Sequence, residues 1–107
     1  MCPTMLDNAN MFLSRALNIV DGGAVQAGAV CVRLGKPVQE PGREWSCTYS
    51  VTGLSDVQAD VYRVFGVDAL QALLCALMVA ESLLHSSAAH QQGRLQWCGR
   101  AGSSYLR

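Results

Sequence analysis

The side chains with the greatest capacity for chemistry in this sequence are five cysteines and two histidines. The histidines are His85 and His90, and the cysteines stand at positions 2, 31, 47, 75 and 98. A tetrahedral zinc site needs closely spaced thiolate pairs, so that one turn presents two ligands to the same ion. No two of these cysteines form a C-x-x-C pair, and the histidines match no such pair. The sequence therefore predicts no metal site, and free cysteines that pack as small buried hydrophobes.

A cysteine–histidine enzyme would use Cys47 or Cys98 as nucleophile and His85 or His90 as base. Cys47 shares a strand face with apolar residues, which predicts a core position. Cys98 and the histidines have no motif around them, and histidines near a helix end are favoured by the negative pole of its dipole. No G-x-S-x-G, H-E-x-x-H or P-loop string occurs. We expect no catalysis and no cofactor.

Asp68 opens the most apolar segment of the chain, two residues after Gly66. As a base or metal ligand it would need a second titratable partner, and none stands nearby in the sequence. As a phosphate site the turn would need several spaced glycines, and an acid would repel the anion. Gln71 completes a D-x-x-Q capping box, and glycine permits a sharp turn from strand into helix. Gly66, Asp68 and Gln71 are therefore predicted to form a structural helix cap.

The segment that Asp68 opens reads as one long helix with a broad apolar face. Burying one leucine contributes about 1.5–3 kcal/mol, so several together offset much of the ordering entropy of a small domain. We expect this helix and the Trp45 face of the sheet to form the core. The residues expected on the apolar face are Leu70, Leu73, Leu74, Leu77, Val79, Leu83 and Leu84.

Five segments have the length and composition of strands. Residues 11–20 fit both a period of two and a period of 3.6, and so short a run does not decide between strand and helix. The Asp-Gly-Gly that follows favours a hairpin, hence a strand. Residues 45–52 alternate strictly, as an antiparallel strand with one apolar and one solvated face requires. The other expected strands are 29–34, 59–65 and 95–98.

Arg33, Arg63 and Trp97 are the candidate interaction residues. Strand parity predicts that both arginines project from the solvated sheet face among serines and threonines, where they could recognise an anion or an acidic peptide. A tryptophan in a small domain usually belongs to the core, but one at a sheet rim can anchor a partner.

Length and composition favour a single folded domain. Of the 107 residues, half are hydrophobic and 15% are charged, the opposite of the balance that gives disorder. The formal net charge is zero, so little long-range repulsion keeps copies apart. The basic residues are scattered, which argues against nucleic-acid binding. We expect a flexible lead-in over residues 1–10, one domain over 11–99 and a flexible tail over 100–107.

The apolar runs and the first residues bear on location. The longest unbroken apolar run has nine residues, and a bilayer span needs about 20. No positive residue precedes the first apolar stretch, so a secretory signal is not expected. We expect a cytoplasmic protein without a membrane partner.

Five strings of the sequence stand out: R-A-L-N-I-V-D-G-G, G-K-P, W-S-C-T-Y-S-V-T-G-L, F-G-V-D-A-L-Q-A-L-L-C-A-L and L-Q-W. Together they resemble a family of short, uncharacterised bacterial domains of unknown function. The shared features are a W-x-C-x-Y strand, a G-V-D-x-x-Q-A-L helix start and a final tryptophan strand. The resemblance covers about residues 13–98 and implies a meander of strands, one long helix and a last strand; it supplies no catalytic residues. The ending G-S-S-Y-L-R departs from the apolar, proline-containing end expected of such a family.

These observations predict an α+β fold: a four- to five-stranded, mainly antiparallel meander with one long helix on one face, in the order β-β-β-β-α-β. The expected function is a small non-catalytic protein-interaction or self-associating module, with a homodimer as one expected form. One alternative is an inhibitor or immunity-type protein that blocks a partner enzyme. Another is a small-ligand binder or enzyme with a pocket between helix and sheet.

Overall fold

The computed structural model describes residues 11–42, 44–56, 59–97 and 105–106. Within them the fold is α+β: an antiparallel sheet with one long helix packed against it. The predicted fold class is confirmed. The strands are β1 Met11–Asp21, β2 Ala24–Gly35, β3 Val38–Gln39, β4 Trp45–Thr52, β5 Ala59–Gly66 and β6 Leu95–Gln96, and the helices are α1 Ala69–Ser86 and α2 Ala88–Gln91.

The sheet is close to the expected meander. Its order is β3-β4-β2-β1-β6, with β5 also paired to β4, and every pairing is antiparallel. The short β3 pairs with the start of β4, whereas β2 pairs with its end. The last strand, β6, returns to the free edge of β1. The chain therefore brings residues that follow the helix beside the first strand.

Residues 11–20 form a strand, which settles the ambiguity of their periodicity. β1 and β2 make a hairpin in which Asp21 pairs with Ala24. The two residues between them, Gly22 and Gly23, have φ of 58° and 88°. Positive φ at both central positions is the geometry of a type I′ turn, which matches the twist of the flanking strands.

α1 packs on the sheet with alanines at the centre of its buried face, and the expectation that Leu70 and Leu74 belong to that face was wrong. Ala72, Ala76 and Ala80 are fully buried, whereas Leu70 is 64% exposed. Small residues at every fourth position let the helix axis lie close to β4 and β5, and the longer side chains are displaced to its flanks. Of the leucines and valine predicted on the buried face, only Leu84 is fully buried; Leu73, Leu77, Val79 and Leu83 are half-buried and Leu74 is exposed.

α1 also has the length and apolar composition of a membrane span. Only 28% of that window is buried in the fold. The expectation of no membrane partner, which came from the nine-residue apolar run, stays a prediction.

The face of β4 that was expected to be solvated is mostly covered. Ser46, Ser50 and Thr52 are buried, and only Thr48 is half-exposed on that face. The Ser46 hydroxyl donates to Glu40 Oε1 at 3.0 Å, so the loop after β3 covers this end. β4 has neighbours on both edges, which lowers the exposure of small side chains between them.

The prediction of free cysteines is wrong for Cys31, which is disulfide-bonded. Cys47 and Cys75 are free, and Cys47 is buried as expected. A disulfide can join cysteines that are far apart in the sequence, so the spacing of the cysteines alone did not predict this bond. Cys2 and Cys98 lie outside the described residues.

The predicted lead-in, residues 1–10, lies outside the described residues. Of the predicted tail over 100–107, the structure describes Tyr105 and Leu106. Tyr105 is 1% exposed and belongs to the same core cluster as the sheet and α1.

Candidate functional site

Four polar side chains meet where α1, α2 and the C-terminal segment converge. Glu81 and His85 are one turn apart on α1, and His90 lies on α2. Tyr105 belongs to the C-terminal segment, by which we mean the described residues Tyr105 and Leu106. We call these four residues the tail cluster.

A serine between the helices sets the position of His90. The backbone N–H of Ser87 donates to Leu84 O, which ends α1, and the Ser87 side chain accepts from His90 N, which caps α2. Ser87 is fully buried, so this double cap is shielded from water. The turn at Ser87 between the two helices places His90 beside His85.

Glu81 is 4% exposed, and both of its carboxylate oxygens are occupied. Oε1 accepts from the backbone N–H of Tyr105 at 2.8 Å, and Oε2 accepts from that of Leu106 at 3.1 Å. A buried carboxylate is tolerated only when hydrogen bonds replace its lost hydration. Glu81 is therefore an anchor for the C-terminal segment.

Arg15 of β1 holds the same segment from the other side. Its Nη1 donates to the carbonyl oxygen of Tyr105 at 2.7 Å. Its guanidinium lies 3.7 Å from the centre of the Trp97 ring, a cation–π contact. Tyr105 is thus fixed through its amide by an anion and through its carbonyl by a cation.

The three rings of the tail cluster have a regular arrangement. His85 and His90 are stacked, with centroids 4.4 Å apart and planes 2° from parallel. Tyr105 meets both imidazoles edge-on, at 84° and 85°. The Tyr105 hydroxyl lies 2.5 Å from His90 Nδ1 and donates to Leu95 O at 3.4 Å. The ring of Tyr105 closes one end of the imidazole stack.

The pKa of His90 depends on its burial and on the neighbouring His85 and Glu81. His85 Nε2 lies 3.5 Å from Glu81 Oε1, within ion-pair distance when His85 is protonated. Burial lowers the pKa of His90, the neighbouring His85 lowers it further, and Glu81 acts in the opposite direction. The described residues contain no group of three or more histidines, cysteines or acids placed to hold a metal ion. The cluster can therefore hold the C-terminal segment.

Sequence reasoning missed Glu81, Tyr105 and Arg15 as members of a site. The available signal was Glu81, the one charged residue between Asp68 and His85 in an apolar helix. An acid on an apolar helix must either face water or accept hydrogen bonds from protein groups, so Glu81 was the residue that could have indicated a site. Those donors are backbone N–H groups more than 20 residues away, and no side-chain pattern could identify them.

The predicted cap residues lie at the start of α1. Asp68 is the N-cap, and its carboxylate accepts from Gln71 N at 2.8 Å. The Gln71 side chain accepts from Val67 N at 2.7 Å, one residue before the position a capping box would use. A Cβ on Gly66 would stand 2.5 Å from the backbone nitrogen of Ala72, so glycine is required there by space.

The two predicted interaction arginines share the sheet face opposite α1, where Arg33 pairs across from Ser50 and Arg63 across from Thr48. Arg33 is half-buried. Arg63 makes an ion pair with Glu40 at 3.0 Å and lies near the Phe65 ring. Trp97, the third candidate, is 38% exposed at the β1 edge and is stacked on Arg15. The structure does not bring the three together.

Two clefts open on the described surface. One, of about 180 Å³, lies between the sheet and α1 beside the tail cluster; the other, of about 240 Å³, is formed by Glu40, Pro41, Arg63 and Phe65. Cys47 lines neither cleft, and burial raises the pKa of its thiol to about 11, so it is not a nucleophile at neutral pH. The residues of the helix–sheet cleft are Leu13, Ser14, Arg15, Val32, Leu34, Leu77 and Leu106.

The outer surface of α1 carries a row of exposed apolar side chains. Leu70, Leu74 and Met78 are four residues apart and are 64%, 45% and 56% exposed. Residues at this spacing lie above one another on a helix. We call these three residues the outer row. Val67, just before the helix, extends it and is 72% exposed.

Comparisons with known proteins give a family and no activity. No curated protein matches the chain, and no solved structure matches it. One family model, described as a domain of unknown function (DUF6968), matches residues 13–106. That match takes in both the strands and the helix that carry the motifs, as well as Tyr105 and Leu106 of the tail. The chain belongs to this family, DUF6968.

Proposed function

We propose that this chain is a small, non-catalytic protein-binding module that self-associates through the outer row of α1. The observation that carries the proposal is the exposure of Leu70, Leu74 and Met78 on a helix whose opposite face already packs on the sheet. Exposed apolar side chains that are contiguous mark interaction surfaces more often than isolated ones do.

The charge distribution favours a second copy as the partner. Residues 69–80 contain no charged side chain, and the chain as a whole has no net charge. Glu81, the next acid along the helix, is covered by Tyr105 and Leu106 and does not reach the outer row. A copy of the same row therefore meets no unpaired charge when it is buried.

The spacing of the row suits a two-fold axis. In an antiparallel pair of α1 helices, Leu70 of one copy faces Met78 of the other and Leu74 lies at the axis. Such an interface uses the same surface patch on both copies and closes as a dimer. Helices pack in this way when rows four residues apart interdigitate.

Light scattering coupled to size exclusion, over a wide range of protein concentration, tests the proposal. The wild-type chain should form a dimer, and Leu74→Glu should be monomeric at the same concentrations because it places two acids at the axis. Val25→Glu is the matched control, since Val25 is 59% exposed on the distant hairpin. A wild-type monomer at all concentrations, or equal effects of both variants, contradicts self-association through this row.

If the chain does not self-associate, we propose that the same surface binds a different protein. An inhibitor or immunity-type protein that blocks a partner enzyme is one such case. A strictly monomeric chain that binds a purified partner, and loses the partner with Leu74→Glu, would replace the homodimer with this form.

The helix–sheet cleft supports a second candidate, a small-ligand site. It has about 180 Å³ and is mainly apolar, with Arg15 at its wall. Native mass spectrometry of protein purified without detergent tests it. A bound compound that is lost in Leu34→Phe, which fills the cleft, supports the ligand site, and its persistence there contradicts it.

A further inference from the structure

We infer that the C-terminal segment at Tyr105 is a proton-sensitive latch, docked on α1 and α2 while His90 is neutral and released when His90 takes up a proton. This goes beyond the proposed self-association and does not depend on it. The inference rests on the geometry of the tail cluster.

The stack is the sensor because its two imidazoles face each other at 4.4 Å. His85 Nε2 lies 3.5 Å from the carboxylate of Glu81 on the same helix. A proton at His90 adds positive charge against the stacked ring of His85, and Tyr105 meets both imidazoles edge-on.

The segment is the moving part, and several of its polar contacts meet the tail cluster or Arg15. Glu81 accepts its two amides, Arg15 donates to its carbonyl, and the Tyr105 hydroxyl lies against His90 Nδ1. The groups that face His90 are thus Glu81 and His85 from α1, the Tyr105 hydroxyl from the segment, and Arg15 from β1 through the Tyr105 carbonyl. Arg15 and a protonated stack would then flank the same residue with positive charge.

The direction of the pH effect follows from the docked state. The pKa of His90 is lowered from 6.5, first by burial and then by His85. A group with a lowered pKa binds fewer protons in the docked state than in the released state, so docking is favoured above pH 6.5 and weakens as the pH falls below it. At pH 5.5 the docking equilibrium falls by up to about tenfold, the limit set by one pH unit below 6.5.

Release would change two neighbouring surfaces. It uncovers the buried carboxylate of Glu81, and it removes Leu106 from the wall of the helix–sheet cleft. The latch would therefore couple acidification to the size of that cleft.

Amide hydrogen exchange followed by NMR on the full chain tests the latch. Protection factors of Tyr105 and Leu106, corrected for the intrinsic pH dependence of exchange, should fall severalfold, and by up to about tenfold, between pH 7.5 and 5.5. The amides of Ala76 and Ala80 in the core of α1 should keep their protection, which separates local release from unfolding.

Two variants distinguish the role of His90 as the proton sensor from the role of the Tyr105 hydroxyl as a docking contact. His90→Gln should remove the pH dependence of the two tail amides. Tyr105→Phe should lower their protection at both pH values and keep the pH dependence, since the stack is intact. Constant wild-type protection, a parallel loss in α1, or an unchanged pH effect in His90→Gln would each overturn the latch.

Discussion

The carboxylate of Glu81 binds the backbone amide of Tyr105, a residue 24 positions later, in a site where Glu81 is 4% exposed. This contact ties the C-terminal segment to the middle of α1. It also explains how an acid persists in an otherwise apolar helix: its two oxygens accept hydrogen bonds that water would supply elsewhere.

Glu81→Gln should lower the free energy of unfolding by about 1.5–3 kcal/mol, because the amide retains one acceptor and turns its NH₂ group towards a backbone N–H. Urea denaturation at pH 7.5 measures the effect. Glu40→Gln is the control: Arg63 of its ion pair is 58% exposed and the glutamine oxygen can still accept from Ser46, so the loss should cost less than about 1 kcal/mol. Equal costs for the two variants would show that Glu81 is not an anchor.

The alanine face of α1 gives a prediction opposite to the one that hydrophobic periodicity alone would give. Ala76→Leu should destabilise the fold by about 1–3 kcal/mol, because Ala76 has no exposed surface and the added side chain must displace the sheet. Leu74→Ala should cost less than about 1 kcal/mol in the monomer, since Leu74 is 45% exposed. Thermal melts of both variants at low protein concentration measure the difference, and a larger loss for Leu74→Ala would contradict the packing.

Ala76 and Leu74 also show which features of the fold can be predicted from the sequence. Alternation located β2 and β4, and Asp68 located the start of α1, because these patterns are local and are repeated over several residues. The buried side of α1 was misassigned because alanine and leucine are both apolar, and only the distance to the sheet decides which one fits. Glu81 and Tyr105 were missed since their contact is between a side chain and a distant backbone. The disulfide at Cys31 was also missed, because the spacing of cysteines in a sequence does not show which of them are bonded.

The helix cap predicts a graded pair of substitutions. Asp68→Ala should cost about 1 kcal/mol, because the N–H of Gln71 loses its acceptor at the positive end of the helix dipole. Asp68→Asn keeps an acceptor oxygen and should recover most of that stability. Chemical denaturation at neutral pH compares them. If Asp68→Asn is as unstable as Asp68→Ala, the side-chain hydrogen bond is not the source of the effect.

Cys47 should be less reactive than Cys75, the other free cysteine in the described part of the chain. Burial raises its pKa to about 11, so at pH 8 about one thiol in a thousand is ionised. Cys75 is half-buried and should be alkylated first by iodoacetamide in the folded protein. Mass spectrometry of peptides after timed alkylation measures both rates, and urea should abolish the difference. Faster labelling of Cys47 in the folded chain would contradict its burial.

The disulfide at Cys31 should be detectable as a difference in thiol content. Protein that is denatured in acid without a reductant should titrate two fewer thiols than the same protein after reduction, because one bond removes two thiols. Cys31→Ser should abolish this difference, whereas Cys75→Ser should lower both counts equally and leave the difference at two. Disulfides persist mainly in oxidising compartments, and a reducing cytoplasm keeps thiols free. Protein quenched with acid inside intact cells therefore tests location by the same titration: equal counts before and after reduction agree with the cytoplasmic prediction, and a difference of two contradicts it.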